Sequence, residues 1–89
     1  MSNVRMYCTA RCPYCVAAER FLAAKGVRDI EKIRVDLQPG LLEEMIDKTR
    51  RHTVPQIYIG ATHVGGYDDL VAWARGGRLD ELLRRDGRE

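Results

Sequence analysis

The spacing of hydrophobic residues along the 89-residue chain changes several times, and each change marks an element. Residues 3–7 alternate Val4 and Met6 against Arg5 and Tyr7, the two-residue period of a strand. From Pro13 to Lys25, Ala17, Ala18, Phe21 and Leu22 recur at helical spacing. Pro13 suits a first helical position, and Gly26 stands just past the end. Ile33, Val35 and Leu37 alternate with Arg34 and Asp36, which predicts a second strand. Pro39 opens a second helix with Leu42, Met45, Ile46 and Thr49 on one side. "QIYIG" and "THVGG" read as two short strands joined around Gly60-Ala61. Asp68 is placed to cap a third helix carrying Leu70, Val71, Trp73 and Ala74. Gly76-Gly77 ends that helix, and Leu79, Leu82 and Leu83 form a last amphipathic turn or two.

The predicted order is β-α-β-α-β-β-α plus a C-terminal helix, an α/β fold. Strands joined through a helix run parallel, whereas the hairpin adds antiparallel edges. The expectation is a small four-stranded mixed sheet with helices on both faces, Phe21, Leu22, Met45, Ile46 and Trp73 contributing to its core. The length suits one domain over residues 1–89. Lys and Arg outnumber Asp and Glu by 15 to 13, a net charge of +2 that points to neither nucleic acid nor a membrane as partner. The arginines at 84, 85 and 88 are interleaved with Asp86 and Glu89, the pattern of a solvated, frayed helix face. With no apolar run long enough to span a bilayer and no leader-like start, the expected location is the cytoplasm. There thiols are kept reduced, and a paired cysteine motif is catalytic or metal-binding more often than structural.

That motif is "RCPYC", Arg11 to Cys15. Cys12 directly precedes Pro13 and so occupies the N-cap of the first helix. Its sulfur is placed to accept from the Tyr14 and Cys15 amides, since proline has no N–H. The positive end of the helix dipole faces the same sulfur, and Arg11 adds a cation beside it. Both favour the thiolate, the attacking species. Cys15 lies one turn on, deeper and on the same side, poised to resolve a mixed disulfide at Cys12. Zinc would need further ligands from Cys8, His52 and His63, yet no second CxxC or spaced histidine pair accompanies the first, and no metal is expected. Cys8 reads as a small, half-buried residue after the first strand; His52 and His63 read as ordinary surface or strand residues.

"CPYC" opening a helix, "TVPQIYIG" after the second helix and "HVGGYDDL" before the third together resemble the dithiol glutaredoxins, of the thioredoxin-like fold, over nearly the whole chain. The resemblance implies a glutathione-dependent thiol–disulfide oxidoreductase that reduces protein–glutathione mixed disulfides and protein disulfides through Cys12 and Cys15. It implies a cis Val54-Pro55 bond that presents the Val54 backbone to glutathione as to a short added strand. Thr53 and Tyr67 belong to the same implied site, and Tyr14 flanks it. The γ-glutamyl carboxylate would meet the Asp68 and Asp69 amides at a helix start, with Gly65 and Gly66 allowing close approach. Many relatives carry a lysine where this chain has Thr9, so Arg51, Gln56 and Arg11 are the candidates for the glycine carboxylate. The implied partners are glutathione, client proteins such as ribonucleotide reductase, and glutathione reductase with NADPH; a monomer is the default. Two other readings are a hydrogen donor recharged by thioredoxin reductase and a dimer holding an iron–sulfur cluster.

Overall fold

A computed structural model describes residues 3–87, so Arg88 and Glu89 of the expected frayed end lie outside the described residues. Four strands, β1 (Val4–Cys8), β2 (Ile30–Arg34), β3 (Gln56–Ile59) and β4 (Thr62–Gly65), form one sheet in the order β2-β1-β3-β4. β1 and β2 are parallel, and β3 runs antiparallel to both β1 and β4. Helices α1 (Pro13–Ala24), α2 (Pro39–Thr49), α3 (Tyr67–Arg75) and α4 (Arg78–Leu82) complete the predicted order, and α4 widens into a π-helical turn at Leu83–Gly87.

The alternation along each strand sorts side chains between two cores. Val4, Met6, Ile57 and Ile59 face α1, α3 and α4, where they meet Ala18, Leu22, Leu70 and Leu79. Tyr7 points the other way and packs with Val35 and Met45 under α2. Tyr7 therefore departs from the polar-side reading of β1. Its ring is buried and its hydroxyl donates to Glu44 Oε2 at 2.7 Å. Because helices cover both faces, both sides of β1 are apolar contact surfaces.

Several boundaries move. β1 includes Cys8, and β2 begins at Ile30 and ends at Arg34 instead of spanning residues 33–37. Pairing with β1, from Val4 opposite Ile30 to Cys8 opposite Arg34, sets that register. The Ile33–Leu37 alternation runs on past the sheet, and Leu37 is 67% exposed. On α2 the buried side is Met45 and Thr49 with Leu41 and Ile46 beside it, whereas Leu42, expected there, faces solvent. Trp73 and Phe21 are half-buried at the edge of the larger core, and the Arg78 guanidinium lies 4.1 Å from the Trp73 ring centre.

Among the described residues the hydrophobic core under α2 has three buried members, so its central side chain carries much of that contact. Met45→Ala should cost about 2–5 kcal/mol in urea unfolding, and Leu42→Ala less than about 0.5 kcal/mol. Equal losses at the two positions would show that α2 is held some other way.

Candidate active site

Four loops and helix starts meet at one end of the sheet: the segment after β1, the end of β2, the approach to β3 and the turn after β4. Cys12 is the N-cap of α1, in extended conformation, with Pro13 at the first helical position. Its Sγ accepts from the Cys15 N–H at 3.1 Å, the one cap bond formed; the Tyr14 amide does not join it as expected. On its other side Sγ lies 3.8 Å from the Val54 carbonyl oxygen. The loop between β1 and α1 is tied down through Asp36, which accepts from the Ala10 N–H at 3.3 Å and from two Arg34 nitrogens at 2.7 Å each. That fork holds the Asp36 carboxyl down at about 2.

All three cysteines are free thiols. Cys12 is half-buried and Cys15 buried. Burial, reinforced by the contact with Cys12, pushes the Cys15 thiol up to about 12. One member of the pair is thus open to a partner, and the other is kept protonated behind it. Cys8, expected half-buried, is fully buried at the end of β1. Burial pushes the Cys8 thiol up, disfavouring its thiolate against the pull of Arg34 and Lys32. The three sulfurs share the lining of a small pocket of about 160 Å³. Among the described residues no three His, Cys, Asp or Glu side chains converge as metal ligands.

A second, larger cleft of about 370 Å³ opens beside Val54. Tyr14, 61% exposed, forms one wall from α1. Arg51, Thr53, Val54 and Pro55 form the floor, with the Val54-Pro55 bond cis. Gly66, Tyr67, Asp68 and Asp69 close the far end. The Tyr14 and Tyr67 rings lie 6.0 Å apart across it. Nine of the predicted site residues are therefore brought together. Arg11 is exposed and takes no part in the lining.

Two roles are corrected. The N-cap of α3 is Gly66, not Asp68, which is the second helical residue and is exposed. Asp69, one residue further, reaches back to accept from the Gly66 N–H at 2.9 Å. The first bond inside α3 runs from the Leu70 N–H to Gly66, which leaves the Tyr67, Asp68 and Asp69 amides without a carbonyl partner in the helix. Such a mouth attracts an anion. A Cβ at Gly65 would come within 2.7 Å of Asp69 Cγ, and one at Gly66 within 3.4 Å of the Pro55 oxygen. The glycine pair thus makes room for the cap and for the Pro55 backbone.

Arg51, a candidate for the glycine carboxylate, donates from Nη1 to Asp69 Oδ2 at 2.6 Å. Gln56, expected as a donor in the cleft, is fully buried. Its Nε2 donates to the Thr53 carbonyl at 3.0 Å, and its Oε1 lies 2.8 Å from His63 Nε2. A polar side chain in a central strand covered on both faces must find partners inside, and that is the signal in "PQIY" that solvent-facing readings pass over. His63 was likewise missed. It is half-buried and stacked on Tyr58 at 5.0 Å, with its ionisation lowered by burial and by Arg51.

The glutaredoxin family model matches residues 4–64. A glutaredoxin of Pseudomonas aeruginosa is 52% identical over 83 residues, 93% of this chain and 98% of that protein. The solution structure of glutaredoxin from Brucella melitensis is 44% identical, with a TM-score of 0.79 over 93% of this chain and 89% of that one. The crystal structure of a wheat glutaredoxin is 28% identical, with a TM-score of 0.87 over 98% of this chain and 84% of that one.

Donation from Arg51 and from the Gly66 amide holds the Asp69 carboxyl below its ordinary range, so the fold favours the charged form. This stabilisation is complete above about pH 4, where the unfolded carboxyl is already ionised, and fades as pH falls through the lowered native value. Asp69→Asn should therefore flatten the acid limb of a plot of thermal-unfolding midpoint against pH. An acid limb as steep as that of the parent would show that the Arg51–Asp69–Gly66 contacts carry no net stability.

Proposed function

The chain belongs to the glutaredoxin family of glutathione-dependent thiol oxidoreductases, and from that premise we propose that it exchanges disulfides through an attacking Cys12 and a resolving Cys15. The observation that carries this reading is the unequal setting of the two sulfurs. Cys12 stands half-open at the mouth of α1, receiving an N–H at 3.1 Å, and Cys15 is buried and held as a thiol.

In the first reaction the Cys12 thiolate attacks the glutathione sulfur of a protein–glutathione mixed disulfide. The protein thiolate departs, and glutathione is left on Cys12. The thiolate of a second glutathione attacks that same glutathione sulfur, releasing oxidised glutathione and restoring Cys12. With a protein disulfide, Cys12 forms a mixed disulfide with the client. Cys15 then attacks the Cys12 sulfur, its proton passing to the departing client thiolate, and a Cys12–Cys15 disulfide results. Two glutathione molecules reduce it, and glutathione reductase with NADPH renews them.

Glutathione bound on Cys12 lies in the cleft, its backbone along Val54 and one carboxylate at the free amides of Asp68 and Asp69. The Arg51 guanidinium has further N–H groups to offer a carboxylate beyond the one it gives Asp69, and Tyr14 and Tyr67 wall in the sulfurs. The Asp68 carboxylate, exposed beside this mouth, is placed to accept from the ammonium group.

Cys12→Ser should abolish turnover of every disulfide substrate. Cys15→Ser should still reduce a glutathionylated peptide and lose most reduction of a protein disulfide, in assays coupled to glutathione reductase. Equal inactivity of the two variants toward the glutathionylated peptide would overturn the single-thiol route.

A further inference from the structure

The floor of the cleft is the irregular stretch between α2 and β3, and its own backbone bonds do not account for its shape. At one end the Arg51 N–H donates to Thr49 Oγ1 at 3.1 Å. At the other end the Thr53 carbonyl accepts from Gln56 Nε2 at 3.0 Å. This contact fixes the orientation of the Gln56 amide, since a backbone carbonyl only accepts and the group facing it must be the NH₂. The Gln56 oxygen therefore faces His63 at 2.8 Å, and an amide oxygen also only accepts. His63 must donate, and it carries its proton on Nε2. The imidazole itself is steadied by the Tyr58 ring, stacked at 28°.

We infer that His63 is a positioning residue for the thiol-exchange site, holding the Thr53–Val54 backbone in place through the fully buried Gln56. The chain of contacts is directional: His63 Nε2–H to Gln56 Oε1, then Gln56 Nε2–H to the Thr53 carbonyl. The next residue is Val54, whose carbonyl lies 3.8 Å from Cys12 Sγ. Thr53 and Val54 both line the cleft, so their placement decides how a ligand backbone meets the sulfur. Without the His63 proton the Gln56 oxygen is left buried with no donor. The amide is then free to turn over and release Thr53. His63 touches no reacting atom; its effect belongs to binding of the substrate and not to the chemistry of the sulfur.

This inference rests on the proposed glutathione site, and the test separates the two. The protein is assayed with a glutathionylated peptide as parent, His63→Phe, His63→Gln, Gln56→Leu and the double variant His63→Phe/Gln56→Leu. Thermal midpoints and the rate of Cys12 alkylation by iodoacetamide are measured alongside. His63→Phe keeps a ring on Tyr58 and should raise KM about 5–10-fold, the size of one hydrogen bond, with kcat and alkylation unchanged. His63→Gln, which keeps an N–H donor, should restore KM. The double variant removes both partners, so its thermal midpoint should recover. Its KM should stay raised, no further than in either single variant, because Thr53 is still unheld. A KM that returns to the parent value together with the thermal midpoint would make His63 structural only and overturn the inference. So would an unchanged KM in His63→Phe while the parent turns over normally. A parent that fails to reduce the glutathionylated peptide would overturn the proposed function, and this inference with it.

Discussion

One contact organises the reactive end of the molecule, the Cys15 N–H donated to the Cys12 sulfur across the first turn of α1. It exists because Pro13 begins the helix without a donor of its own and Cys12 stays extended at the cap. The sulfur must then be delivered to that mouth from the sheet, and the loop that does so is short. Arg34, the last residue of β2, grips Asp36, and Asp36 grips the Ala10 amide. The parallel pairing of β1 with β2 brings those groups alongside the loop. The position of one sulfur thus depends on the register of two strands.

The second consequence is chemical inequality between identical side chains. Cys12 and Cys15 are three residues apart, yet one is half-open and the other is sealed beneath the helix against β1. Burial disfavours a thiolate in proportion to the water it removes, so the inner thiol keeps its proton while the outer one stays half-open to solvent. Cys8 shares the inner environment, and its neighbouring cations do not offset burial. The fold itself sorts three equivalent functional groups.

The cleft next to the sulfur is built from polar contacts of unequal worth. Arg51 and Asp69 meet at the surface, where solvent screens the pair and its value lies in geometry more than in energy. Gln56 is sealed in the sheet, where an unmet hydrogen-bonding group is costly. Strand directions explain why these contacts converge. β1 ends, β3 begins and β4 ends at the same edge of the sheet, so the segments that leave them are neighbours there. Family membership accounts for the chemistry expected at that edge, and local packing for how this chain holds it.

The element order, the Pro13 helix start, the cysteine cap and the segments "TVPQIYIG" and "HVGGYDDL" were legible from residues alone. Each is written in side-chain periods and turn chemistry within a few positions of the chain. What they could not convey depends on residues distant in sequence. The extent of β2 followed from its pairing with β1, because an alternating pattern does not say where a partner strand stops. Gln56 looked like a solvent-facing donor until helices covered both sides of its strand and His63 supplied its partner. Asp68 reads as the N-cap by residue type, and only the observed start of α3 at Tyr67 puts Gly66 at the cap with Asp69 reaching back to it. The Val54 carbonyl meets a sulfur 42 positions away. Local sequence encodes which conformations are cheap, whereas burial and long-range pairing decide which polar groups meet.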